Sequence, residues 1–187
     1  MSVKRRNYVL LGLVAVAVLG PTSSVLAETG ANRFVLVQND LEDSMKREAL
    51  DAARYTLFAR QARERGNQDL AAVFERVANT EQTAHLQRLA SLAGGEVTIT
   101  PAEQDAELAK LPNQSDEANL RSAMTNERFQ ANTMRSDMVN RALKYGDIEA
   151  AQTFLNVGEG EIKNLLEFRS ALKQLKRSQP QSTTAGS

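Results

Sequence analysis

The chain has 187 residues, 42% hydrophobic and 25% charged, which suits one domain with a real core. Its formal net charge of +0 leaves no basic field for nucleic acid. Cysteine is absent, which excludes disulfides, thiolate catalysis, Cys-bound zinc, iron–sulfur clusters and any rubredoxin-type iron site.

The chain opens with Lys4, Arg5 and Arg6, followed by an apolar run over 8–19 that is too short for a membrane span. Pro21 breaks the run, and Val25, Leu26 and Ala27 place small residues where a signal peptidase cuts. Residues 1–27 therefore read as a cleaved signal peptide, with an uncleaved anchor as the alternative. The run over 5–10 resembles a twin-arginine export signal. The expected location is extracytoplasmic, periplasmic or equivalent, with no stable membrane span after cleavage. Cleavage removes three positive charges and no acid, leaving the mature chain near −3.

Residues 28–38 read as a linker, with a short extended piece at 34–37. Asn39 and Glu42 form a capping-box variant that opens a first helix over 40–65. Gly66 and Asn67 end it. A second helix runs over 68–92 and stops at Gly94 and Gly95. A long connection over 96–114 holds Pro101 and Pro112, with a short helix over 102–111. Ser115 or Asp116 caps a third helix that runs to 145. Gly146 breaks it, and a fourth helix covers 147–176. Residues 178–187 are small and polar and read as a disordered tail. The prediction is all-α: an antiparallel four-helix bundle over 39–177, with one long crossover between helices two and three. That arrangement is ferritin-like.

Each helix carries one apolar stripe at steps of three and four. In helix one it is Leu41, Met45, Glu48, Ala52, Tyr55, Ala59 and Ala62. In helix two it is Ala71, Phe74, Ala78, Glu81, His85, Leu89 and Leu92. Helix three has Leu120, Met124, Glu127, Ala131, Met134, Met138 and Ala142. Helix four has Ala151, Phe154, Gly158, Glu161, Leu165, Phe168 and Leu172. Every stripe holds one Glu near its middle, and only helix two adds a His. One such Glu alone is more often a misread face. Four at matching depth would repel and resist ionisation unless protons, Lys or Arg, or metal cations neutralise them. These stripes contain no Lys or Arg. Two divalent cations would balance four carboxylates, and oxygen ligands suit Fe²⁺ and Mn²⁺.

The chain also repeats. Gly66, Ala71, Phe74 and Glu81 recur 80 residues later as Gly146, Ala151, Phe154 and Glu161. Glu48 lies 18 residues before Gly66, but Glu127 lies 19 before Gly146. One extra residue in helix three is what a π-bulge needs.

The stretch from Glu48 through Arg54, Tyr55, Phe58 and Ala59 resembles the first helix of rubrerythrins. Ala71 to Phe74 with Glu81 resembles their second helix, Asn119 and Leu120 with Glu127 the third, and Phe154 with Glu161 the fourth. The resemblance covers about residues 40–175. It implies two irons between the helices, manganese or zinc being alternatives, and reduction of hydrogen peroxide. It puts Glu48, Glu81, Glu127 and Glu161 in the places of iron carboxylates, and Tyr55 beside the site or as a plain core aromatic. The family's two Glu-x-x-His motifs would need His at 84 and 164, where this chain has Ala84 and Asn164. Its only histidine, His85, comes one residue late and reads as a ligand or as a polar edge residue. Gln130 stands where helix three would offer a second Glu. Gly158 and Gly160 sit inside helix four, where close approach or local flexibility would explain them.

The leading expectation is an exported di-metal carboxylate oxidoreductase acting on peroxide or ferrous iron, a rubrerythrin-like peroxidase or ferroxidase. Its oxidant would be peroxide or oxygen, and a separate electron donor would be needed because no cysteine builds one in. A metal-binding protein without turnover and a structural relic are the alternatives. Homodimer formation through Leu50, Leu57, Phe58, Val73 or Leu166 is left open.

Overall fold

In the computed structural model the backbone is described over residues 22–178 and the side chains from Val35 onward. Helix α1 (Thr22–Glu64) forms the first bundle helix. The second is α2 (Gln68–Thr80), a π turn (Glu81–His85) and α3 (Leu86–Ala93). The crossover holds α4 (Pro101–Leu108). The third is α5 (Asp116–Phe129), a second π turn (Gln130–Met134) and α6 (Arg135–Tyr145). Helix α7 (Ile148–Ser178) is the fourth. Among the described residues there is no strand, and no helix is long and apolar enough to cross a membrane.

The helix ends follow local chemistry. Gly66 and Gly146 take φ of 79° and 78°, a conformation open to glycine, and turn the chain back at the two hairpins. Asn67 accepts a hydrogen bond from the Leu70 amide at 3.2 Å, and Asp147 one from Ala150 at 2.9 Å, so each following helix starts capped. Thr100 and Glu103 form a reciprocal capping box, with Pro101 at the first helical position of α4.

The bundle interior has three layers. One apolar layer joins Tyr55, Phe58, Phe74, Leu120 and Phe168 with small neighbours such as Ala59 and Ala71. Its rings interlock at centroid distances of 5.1–6.5 Å. The other joins Val37, Leu41, Met45, Leu89, Met138, Phe154 and Val157. In every helix the register between these two sets is polar and buried: Glu48 and Asp51, Glu81 and His85, Glu127, Gln130 and Arg135, Glu161 and Asn164.

Three differences from the sequence expectations have physical causes. Segment 28–38 is helical, not a linker, and the extended piece at 34–37 is absent. Val37 continues the helical spacing of Leu41 and Met45 into the apolar layer, so the stripe carries the helix past Asn39, which caps nothing. The expected π turn in helix three is present, and helix two has one as well. The helix-three turn shifts the inward face by one residue, so Arg135 is buried while Ala131 and Met134 are only half-buried. Phe58 completes the core, whereas Leu166 is 56% exposed. Most of the signal-peptide segment and nearly all of the tail, residues 1–21 and 179–187, lie outside the described residues.

Candidate metal centre

The four glutamates meet in the polar layer. Glu48, Glu81, Glu127 and Glu161 are each 0% exposed, and His85 is 4% exposed. His85 Nδ1 lies 2.8 Å from Glu81 Oε2 and 3.1 Å from Glu48 Oε2. One ligand atom from each of Glu48, Glu81 and His85 lies within 4.8 Å of the other two, a spacing that suits a single cation. A π turn spans this pair of Glu81 and His85. The two are four residues apart, a spacing that shares one helix face, and both are buried. Gly160 on α7 provides the space for the ring: a Cβ there would lie 2.0 Å from His85 Nε2.

Glu127 and Glu161 lie in the same layer with other partners. The Tyr55 hydroxyl donates a hydrogen bond to Glu127 Oε1. Arg135 Nε donates to Glu161 Oε1 at 2.8 Å, and Arg135 Nη2 donates to Glu48 Oε1. Asn164 Nδ2 donates to Glu81 Oε1 at 2.7 Å. Glu127 Oε2 and Glu161 Oε2 are buried without a hydrogen-bond partner. Asp51, 1% exposed, accepts from Gln130 Nε2 at 2.6 Å, Asn126 Nδ2 at 2.9 Å and Arg54 Nη1 at 2.8 Å.

The electrostatics split the carboxylates. Burial opposes ionisation of Glu48, but the Arg135 guanidinium and the hydrogen bonds with Glu81 and His85 outweigh it and hold its carboxyl at about 2. Burial, reinforced by Glu48, pushes Glu81 well above the usual carboxylate range, so the proton this pair shares rests on Glu81. Glu161 is pushed up to about 8 by burial, against the pull of Arg135. Glu127 is raised well above its usual range by burial, only partly offset by Tyr55. Burial and then the neighbouring Glu127 raise the Tyr55 phenol. Protonated, buried carboxylates with orphaned oxygens are donors that a cation can claim in exchange for protons.

The sequence reading brought the four glutamates to one depth, and the structure places them with His85 in the polar layer, while Tyr55 stands in the adjoining apolar layer and reaches Glu127. It missed Arg135 and Asp51; Gln130 and Asn164 serve as hydrogen-bond donors, to Asp51 and Glu81. The signal for Arg135 lay in the repeat. Tyr55 is seven residues after Glu48, and one extra residue in helix three puts its counterpart eight after Glu127.

Fold and polar core together define a ferritin-like helical bundle protein. The rubrerythrin family profile matches residues 39–171, and the chain belongs to the rubrerythrin family, whose fold is built for diiron–carboxylate sites. Solved structures agree on the fold. Fully reduced, all-ferrous nigerythrin is 21% identical with a TM-score of 0.66, covering 77% of this chain and 69% of that one. Mixed-valence nigerythrin is 22% identical at the same score and coverage. Dithionite-reduced symerythrin from Cyanophora paradoxa is 21% identical with a TM-score of 0.64, over 73% of this chain and 83% of that one. No curated protein sequence gives a significant match.

Proposed function

We propose that this protein is an exported metal-dependent oxidoreductase of the rubrerythrin type, acting on peroxide or on ferrous iron. One observation carries the reading: Glu48, Glu81 and His85 converge inside the core with ligand atoms within 4.8 Å. The donor set fits a metal. Two carboxylate oxygens and one imidazole nitrogen suit Fe²⁺, Mn²⁺ or Zn²⁺, and iron is the simplest choice for redox work. A bound iron would supply electron exchange with the oxidant.

The chain's own groups would manage protons and access. Reducing peroxide to two waters takes two electrons and two protons. The electrons come from a separate donor, since the chain has no cysteine to build one. Tyr55 and Glu127 form a buried proton-bearing pair next to the ligands, and Glu161, held near 8, can take or give a proton at neutral pH. The aromatic layer around Tyr55 keeps that side of the site dry.

Metal analysis of the purified protein, followed by a peroxide-consumption assay with and without Fe²⁺, tests the reading. Metal with turnover supports it. Metal without turnover supports a binding protein, the second reading, which Asn164 and Arg135 favour because each occupies a carboxylate of the layer with a non-metal partner. Neither metal nor turnover leaves a relic of the fold. Export rests on the signal-like segment 1–27, and N-terminal sequencing of exported protein should begin at Glu28. A chain found starting at Met1 would defeat it.

A further inference from the structure

Tyr55 and Arg135 occupy corresponding places in the two halves of the repeat. Tyr55 follows Glu48 by seven residues and Arg135 follows Glu127 by eight, the π turn Gln130–Met134 taking up the difference. Their bonds are reciprocal. Tyr55 on helix one donates to Glu127 on helix three, and Arg135 on helix three donates to Glu48 on helix one. One member of the exchanged pair is neutral and the other is a permanent cation, since a guanidinium does not lose its proton in a protein.

Arg135 is fixed where it stands. It is 2% exposed, with Nε on Glu161 Oε1 at 2.8 Å, Nη2 on Glu48 Oε1, and Nη1 on Ser44 Oγ at 2.6 Å. Ser44 in turn donates to Met138 Sδ at 3.2 Å. Gly158 on α7 leaves space for its stem, with a Cβ there only 3.4 Å from Arg135 Cβ and Cγ. Arg135 Nη2 also lies 2.8 Å from Glu161 Oε1, so one nitrogen spans the two carboxylates of opposite hairpins. A metal bridging the same oxygens, with bonds of roughly 2.0–2.2 Å, would have to displace that nitrogen and then sit against a fixed positive charge.

We infer that Arg135 takes the place of a second cation, so that the centre holds one divalent metal, at Glu48 Oε2, Glu81 Oε2 and His85 Nδ1, and not two. This rests on the metal-binding reading above. Nothing else in the layer reproduces that cluster: in helix four the repeat position of His85 is Leu165, the buried polar residue beside it is Asn164, and Glu161 is already paired.

The test loads the purified protein anaerobically with excess Mn²⁺, removes free ion, and counts Mn per chain alongside its electron paramagnetic resonance spectrum. The parent should hold one Mn with the hyperfine pattern of an isolated ion. Arg135→Lys, which keeps the charge, should hold one as well. Arg135→Met should hold two, with the broadened spectrum of a coupled pair. Two coupled ions in the parent overturn the inference and leave the metal-binding reading standing, as does a single ion in a folded Arg135→Met. If Arg135→Met does not fold, the parent's count and spectrum still decide. No Mn in the parent or any variant overturns the metal-binding reading itself, and this inference with it.

Discussion

Helices one and two, and helices three and four, carry the same pattern to the same depth and compensate their glutamates differently. In the first hairpin, Glu48 and Glu81 converge on the His85 nitrogen, an arrangement that a cation can replace. In the second, Glu161 is held by Arg135 and Glu127 by the Tyr55 hydroxyl. Two differences produce the contrast. Helix four offers Asn164 and no histidine where helix two has His85, and Arg135 takes the register of Tyr55. Crowded buried carboxylates demand compensation, but they do not dictate whether it comes from a metal, a guanidinium or a proton.

The largest way to break this comparison is to remove the internal cation. In metal-free protein at pH 7, Arg135→Met leaves Glu48 without its charge partner in the core. We expect a loss of about 3–5 kcal/mol. For a chain of this size that corresponds to a melting temperature lower by roughly 6–20 °C. Denaturant titration followed by circular dichroism measures it. Parental stability in this variant would show that the guanidinium does not compensate Glu48 and Glu161.

Removing the imaginable ligand on each side comes next. Mn²⁺ at a hundred-fold excess over its dissociation constant should add about 2.7 kcal/mol to the parent. His85→Ala should abolish that increment, and Asn164→Ala should keep it. If both variants lost the metal effect equally, the two hairpins would be equivalent and the contrast drawn from His85 and Asn164 would be wrong.

Acidity sharpens the same contrast. The folded-state pKa of Glu161 is raised from 4.5 to about 8, and those of Glu81 and Glu127 are raised too. A raised carboxyl favours the folded state below its unfolded pKa and loses that advantage as pH rises through the folded value. Glu48, lowered to about 2, contributes evenly above 4.5 and does not tilt the curve between pH 5 and 8. Metal-free protein should therefore lose stability between pH 5 and 8, on the order of 3 kcal/mol from Glu161 alone. With Mn²⁺ the slope should flatten or reverse, because binding a cation releases protons. Melts across that range, with and without Mn²⁺, check it. A metal-free curve rising with pH would show that these carboxyls are not buried and protonated.

Much of this was readable from residue spacing. Four stripes with one Glu each gave the bundle and its polar layer, because burial at period 3.6 leaves a trace that survives without coordinates. The offset between Glu48–Gly66 and Glu127–Gly146 gave one π turn. The turn at Glu81–His85 was not legible, since the repeat partner Glu161–Asn164 differs from it only by where the polar residue falls. Arg135 was legible only through the repeat, not through the stripe. A strict three-four step past the π turn lands on Met134, and only the rotated face reaches 135. Helix α1 ran past Asn39 because Val37 still had an apolar layer to enter, and a local capping signal cannot reveal that.

The two glycines of helix four make the finest comparison, one against each hairpin's key side chain. Gly160 faces His85: a Cβ would meet Nε2 at 2.0 Å, Cε1 at 2.8 Å and Cδ2 at 3.1 Å. Gly160→Ala must push the ring away from Glu48 and Glu81, and losing such a supporting contact typically costs a metal site at least about tenfold in affinity, near 1.4 kcal/mol. Gly158 faces Arg135, whose Cβ and Cγ would lie at 3.4 Å, close to ordinary contact. Gly158→Ala gains up to about 1 kcal/mol of helix propensity and leaves the imidazole untouched. Mn²⁺ titrations of both variants should therefore separate, Gly160→Ala weakened and Gly158→Ala at parental affinity with equal or higher melting temperature. Weakened binding in Gly158→Ala alone would move the metal from the His85 side of the layer to the Arg135 side, and the assignment of the two hairpins would have to be exchanged.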